Sequence, residues 1–234
     1  MKQVLLFGLL AMGFAANTFL VESLVVQVLM GTLALSFFGL AIGFGIIGPG
    51  VFLKDQCKGT LSLFSWLIFL PLHLLNLGLL FLIAKLGRER AYDEIVPGVF
   101  LGRRLGSREA RPVLERGVQA VLDLTSEFAE CRAFRGLTQY CCLPLLDTRE
   151  PTSEQIQRGV AFMADNCGRG GVYVHCAMGH GRSATFVAAF LLRQGTCRTT
   201  AEAEEFIRQR RPRVGLHAGQ RKALTAWRAT WSNP

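Results

Sequence analysis

His175-Cys176-Ala177-Met178-Gly179-His180-Gly181-Arg182-Ser183 is the stretch that decides how the C-terminal part of this chain folds. Just before it, residues 171–176 read Gly-Val-Tyr-Val-His-Cys, a short apolar run expected to be a buried strand. Just after it, residues 183–194 are apolar nearly all round and are expected to form a central helix. A strand, a tight loop and a helix in that order bring loop N–H groups and a helix N-terminus to one point, where an anion binds. Two glycines, Gly179 and Gly181, permit the turn. Cys176 ends the strand. Arg182, six residues on, opens the helix, where its forked guanidinium can hold two oxygens of a phosphate. A thiol in that field ionises readily, and Ser183 can donate a hydrogen bond to the sulfur. His175 is expected to orient the loop through backbone carbonyls.

Working outward, strand and helix signals alternate. Residues 95–101 read as strand, turn, strand; 118–124 and 139–146 read as further strands. Helices are expected over 107–116, over 151–166 with Thr152 or Ser153 as cap, from Thr199 to about Arg210, and over 217–231. This spacing implies an α/β fold, a central mostly parallel sheet flanked by helices, over residues 91–234.

A pattern of Cys, five residues, Arg and Ser, with His in front, resembles the cysteine-dependent phosphatases. The short domain is similar to their dual-specificity branch. The resemblance runs from Tyr92 to Trp231 and is strongest over residues 157–192, which look like the mitochondrial phosphatidylglycerophosphate phosphatase and its bacterial relatives. It implies a cysteinyl-phosphate mechanism: Cys176 as nucleophile, and Ala177, Met178, Gly179, His180, Gly181 and Arg182 as the phosphate cradle. No metal or organic cofactor is implied. Hydrolysis also needs a proton donor. Asp147, in Leu143-Pro-Leu-Leu-Asp147-Thr-Arg149, stands 29 residues before Cys176; Asp123 and Glu150 are its rivals. The resemblance favours Asp147 and makes Asp123 structural. It also points to Arg149 beside the acid and to Gln220 near the hydrolytic water. Other readings carry less. His175, Cys176 and His180 lack the second ligand pair of a metal site. A sulfurtransferase loop lacks the preceding His. A non-catalytic phosphate-binding adaptor would be missing one of Cys176, Arg182 and Asp147.

The N-terminal part is a different kind of sequence. Residues 1–84 hold only five charged side chains, Lys2, Glu22, Lys54, Asp55 and Lys58, out of 43 in the whole chain of 234. This excludes a wholly soluble enzyme and a disordered protein. Three spans are expected, over about residues 4–21, 24–47 and 61–84, forming an all-α transmembrane block of residues 1–86. A cleaved signal peptide is the competing reading of the first segment. Gly43-Phe-Gly45-Ile-Ile-Gly48 spells a dinucleotide-binding fingerprint but sits in an apolar run with no acidic residue about 20 positions on. Gly39 and Gly43 are expected to serve close helix packing within the chain. His73 is expected to fill the backbone hydrogen-bond gap beside Pro71.

With three spans, Lys85, Arg88, Arg90, Arg103 and Arg104 lie on one side and Lys2, Lys54 and Lys58 on the other, which faces the catalytic domain to the cytoplasm. Seven cysteines in odd number and irregular spacing fit a reducing compartment. The excess of 23 Lys+Arg over 15 Asp+Glu beyond residue 84 shows no nucleic-acid motif, so the expected partners are the lipid bilayer and a phosphoprotein or phospholipid substrate, not nucleic acid. Phosphotyrosine is favoured over a phospholipid, because lipid phosphatases of the family tend to carry Lys or Arg where this loop has Ala177 to Gly181. Against this, the short tether raises the effective lipid concentration.

Overall fold

A computed structural model describes residues 2–137 and 139–231. The chain forms two compact units. The first holds three apolar helices, α1 (Lys2–Thr18), α2 (Leu24–Ile42) and α3 (Leu63–Leu86). α2 runs on through a π-helical turn and a 3-10 turn, so that Leu24–Phe52 and Leu63–Leu86 are both long and apolar enough to cross a membrane. α1 has 17 residues, about 26 Å at 1.5 Å per residue, and falls short of a hydrocarbon core of about 30 Å. The expectation of three spans is therefore met by two helices.

Within this unit the small residues do what their size allows. A Cβ on Gly39 would meet the Phe69 ring at 2.7 Å, and one on Gly43 would meet Val51 at 2.6 Å. These glycines let α2 approach α3 and the following turn. Phe37 stacks on Phe7 and Phe14, which pins α1 to α2. α3 is kinked at Phe69, two residues before Pro71, because proline removes a backbone donor and crowds the preceding turn. His73 sits in this kinked turn with its Nε2 3.1 Å from the Ser65 hydroxyl, and its ring packs against Trp66.

The second unit comprises Gln56–Gly59, Arg88–Thr125 and the chain from Glu130 onward. Within it the Glu130 N–H donates to the Gly59 carbonyl at 2.7 Å.

Five strands make one sheet in the order β1-β2-β5-β3-β4. β1 (Tyr92–Val96) and β2 (Val99–Arg103) form an antiparallel hairpin turned at Pro97-Gly98; β2, β5 (Val172–Cys176), β3 (Ala120–Thr125) and β4 (Gln139–Leu145) are parallel. β5 is central and buried along its whole length, which explains why His175 is its one strongly polar side chain. Alternation sorts the side chains. Leu101, Leu122 and Val174 join α6 (Ser153–Cys167), α7 (Arg182–Arg193), α8 (Thr200–Arg208) and α9 (Ala218–Ala229) in the larger core. Phe100, Val121 and Tyr173 meet α4 (Ser107–Glu115) and the short α5 (Arg132–Arg135) on the other face.

Parallel strands end on one edge, and crevices form there. In register, Cys176 sits beside Arg103, and His175 beside Asp123. β4 ends two residues before Asp147. The sheet thus delivers the thiol and the candidate acid to the same edge.

Candidate active site

The loop after β5 is built from behind. The Ala177 carbonyl accepts from the Arg104 N–H at 3.1 Å, and the His180 carbonyl from the Gly215 N–H at 3.3 Å. The Met178 and Gly179 carbonyls accept from Arg211 at 3.1 and 2.9 Å. The Gly181 carbonyl accepts from the Thr185 hydroxyl at 2.9 Å. Every carbonyl from 177 to 181 is therefore engaged on the outer side, which leaves the N–H groups to the inner side. The Gly179 N–H duly donates to Cys176 Sγ at 3.3 Å. Gly179 has φ +75, and a Cβ there would run into the Gly102 carbonyl, so only glycine fits.

Cys176 is buried, and burial pushes its thiol pKa up. The Arg182 guanidinium, the hydroxyl and N–H of Ser183, and the Gly179 N–H outweigh burial and hold the thiol below its ordinary value. The Ser183 hydroxyl donates to Sγ at 3.3 Å, as expected from sequence. Arg182 is buried as well. Its Nη1 donates to the Leu145 carbonyl at 2.8 Å, and its Nε lies 3.4 Å from Asp147 Oδ1. The β4 end thus holds the guanidinium over the loop and sets the Asp147 carboxyl beside it.

A cleft of about 280 Å³ opens over these groups. Asp147, Cys176, Ala177, Met178, His180, Gly181, Arg182 and Gln220 line it, and Gly215 and His217 complete it. Gln220 is buried. Its Oε1 accepts from the His217 N–H at 3.0 Å, and its Nε2 donates to the Arg149 carbonyl at 3.5 Å, tying α9 to the segment after Asp147.

The rival acids lie elsewhere. Asp123 is fully buried; its Oδ1 accepts from the Thr125 N–H and hydroxyl at 2.8 and 2.7 Å, and its Oδ2 from the Tyr140 hydroxyl at 2.8 Å. Burial, then the Asp123 charge, keep the Tyr140 phenol protonated as that donor. Glu150 turns toward Gly219 at the start of α9.

His175 makes the expected backbone contact, with Nδ1 3.4 Å from the Cys176 carbonyl, and a second one the sequence did not show: the Glu130 carboxylate lies 2.6 Å from its Nε2. Glu130, Asp123 and His175 come within metal-ligand reach of one another. Their carboxylate oxygens already accept from Cys131 N–H, His175, Thr125 and Tyr140, so hydrogen bonds account for the cluster.

Glu130, Arg211 and Glu89 were missed from sequence. Glu89 places its two oxygens 2.9 and 2.8 Å from His180 Nε2. A histidine in a fully buried strand asks for a partner, and an acid a few residues beyond β3 was the available signal. Arg211 gave none: before Pro212 it reads as a helix stop.

Comparison with known proteins agrees with this geometry. Residues 99–230 match the family described as dual specificity phosphatase, catalytic domain. Human dual specificity protein phosphatase 2 is 35% identical over 133 residues, 53% of this chain and 41% of its own length. The phosphatidylglycerophosphate phosphatase PTPMT1 of Arabidopsis thaliana is 31% identical over 144 residues, 59% of this chain and 42% of its own. The chain thus spans about two fifths of the length of these relatives. A crystal structure of PTPMT1 in complex with PI(5)P superposes with a TM-score of 0.55 at 27% identity, covering 61% of this chain and 97% of that one.

Proposed function

From the premise that this chain belongs to the dual-specificity phosphatase family, we propose that it is a membrane-anchored phosphomonoesterase that hydrolyses protein phosphotyrosine, with phosphoserine and phosphothreonine as further substrates. The observation that carries this reading is the thiol at the mouth of the loop, with Gly179 N–H and Ser183 hydroxyl on the sulfur and Arg182 joining it to Asp147. Cys176 thiolate attacks phosphorus in line; an S–P bond forms as the ester P–O bond breaks. The loop N–H groups and Arg182 stabilise the equatorial oxygens. Asp147, as the acid, gives its proton to the leaving oxygen. Water then attacks the cysteinyl phosphate, Asp147 takes its proton, and the S–P bond breaks to restore the thiolate. Gln220 lies close enough to the loop to orient that water: a Cβ on Gly181 would sit 3.3 Å from its Oε1.

Residues 1–86 act as the anchor and 91–234 as the catalytic domain. All seven cysteines are free thiols, which supports a domain facing the cytoplasm. Sedimentation with membranes after alkaline carbonate washing tests the anchor.

A phospholipid substrate is the second reading, favoured by the relatedness to PTPMT1 proteins. Against it, the loop's one ionisable side chain, His180, is engaged by Glu89, so the loop offers no spare cation to a multiply charged headgroup. The deciding measurement is kcat/KM for phosphotyrosyl peptide, phosphoseryl peptide and phosphatidylglycerophosphate in mixed micelles, side by side. The peptide should exceed the lipid; a ratio well below one makes the enzyme a lipid phosphatase.

A further inference from the structure

Two segments far apart in sequence converge beside the catalytic loop. Arg211 is buried, and its Nη1 donates to the Arg90 carbonyl at 3.1 Å, which draws residues 88–90 against residues 210–213. Between them lies a cavity of about 460 Å³ lined by Arg88, Arg90, Arg210 and Arg213, with Glu89, Asp93 and Pro212. All four arginines are exposed. The two carboxylates already have cations. Glu89 is held by His180 at 2.8 Å and Arg211 at 3.2 Å; Asp93 is held by Arg211 at 2.9 Å, with Arg90 3.9 Å away. Arg210 lies over the Phe206 ring, its centroid 4.0 Å away. Arg90 thus keeps only a long ion pair with Asp93, and Arg210 Nη1 donates to the Phe206 carbonyl at 3.0 Å, which leaves these exposed guanidiniums, with those of Arg88 and Arg213, donors to spare. A cluster of planar, permanently charged donors is suited to phosphate.

The position of the cavity names the source of that phosphate. Arg88 follows two residues after Leu86, the last residue of a 24-residue apolar helix most of whose leucines and phenylalanines stand exposed, Phe69 and Leu80 being buried. Side chains at such a point lie at headgroup depth. We propose that Arg88, Arg90, Arg210 and Arg213 form a binding site for the phosphodiester headgroup of an anionic phospholipid. The inference rests on the membrane anchoring proposed above, not on the choice of substrate. Phosphodiesters carry no monoester for Cys176 to cleave, so this is a docking site and not a second substrate site. It adjoins the catalytic loop, because Arg211 also holds the Gly179 and Met178 carbonyls and Glu89 holds His180.

The test uses the full chain in neutral detergent micelles doped with phosphatidylserine or, separately, phosphatidylcholine. Hydrogen exchange is followed at the amides of residues 88–93 and 209–214. Phosphatidylserine should protect both segments, and phosphatidylcholine should not. Arg210→Gln with Arg213→Gln should raise the phosphatidylserine fraction for half-protection roughly 25-fold, at about fivefold per arginine. Turnover of a soluble aryl phosphate by this variant should stay at the wild-type rate. If the double variant does not fold, Arg213→Gln alone should show the fivefold shift. Equal protection by phosphatidylcholine, or an unmoved midpoint in the variants, overturns the proposal. Equal protection by soluble glycerophosphoserine at the same bulk concentration would make this a site for the free phosphodiester and overturns the membrane assignment. A wild-type chain that hydrolyses no phosphomonoester would refute the phosphatase reading while leaving the protection pattern intact.

Discussion

Asp123 and Asp147 belong to neighbouring parallel strands, the first inside β3 and the second two residues beyond β4. Their side chains are 0% and 74% exposed. Asp123 spends its oxygens on Thr125 and Tyr140, inside the protein. Asp147 faces the cleft next to Arg182. The same side chain at nearly the same sheet edge is scaffold in one place and free for chemistry in the other. Two residues of chain separate these fates: a carboxylate within a strand is claimed by the sheet's own donors, and one past its end is offered to a ligand.

That contrast can be broken by substitution. The largest effect sets the baseline: Cys176→Ser should abolish turnover of an aryl phosphate while leaving the melting temperature near wild type. Next, Asp147→Asn should lower kcat by roughly 10²- to 10⁴-fold on alkyl phosphates, and less on aryl phosphates whose leaving groups need little protonation. Asp123→Asn should behave oppositely. It leaves Thr125 and Tyr140 facing an amide in a dry site, so chemical denaturation should show a loss of about 1–3 kcal/mol. Its folded fraction should keep the wild-type dependence on leaving group. If Asp123→Asn rather than Asp147→Asn acquires that dependence, the two roles are reversed.

The smallest effect concerns pH. The Cys176 thiol is held below its ordinary value, and the reactive form is the thiolate. The rising limb of kcat/KM with pH should therefore lie below the free-thiol value of about 8.5. Ser183→Ala removes a donor to the sulfur and should move that limb upward by about one unit, the equivalent of one charge-assisted hydrogen bond. A limb that stays put would mean that Ser183 does not stabilise the thiolate.

Much of this was legible in the sequence where local chemistry dictates local structure. The β5 strand, the loop with its two glycines and α7 follow from hydrophobic pattern and glycine placement, and the structure has them at Val172–Cys176 and Arg182–Arg193. Thr152 caps α6 as expected, accepting from the Gln155 N–H at 3.2 Å. The short α5, of four residues, has no periodicity to betray it. Contacts at long sequence separation were not legible. Nothing in Arg211 announces that its guanidinium folds back onto carbonyls 32 and 33 residues earlier. The buried His175 asks for an acid, but which acid answers it, 45 residues earlier, is settled only by the fold. The anchor shows the same limit. Hydropathy gives the apolar runs, but not that Gln56–Gly59 joins the catalytic unit, where the Glu130 N–H donates to the Gly59 carbonyl.

In the proposed mechanism Cys176 carries the phosphoryl group during turnover. Rapid mixing of the Asp147→Asn chain with an aryl phosphate, followed by quench, digestion and mass spectrometry, reads it directly. The account predicts one added phosphoryl group on the peptide containing Cys176, formed no more slowly than turnover and missing from Cys176→Ser. Turnover with no phosphoryl group on that peptide, or with one on another residue, would contradict it.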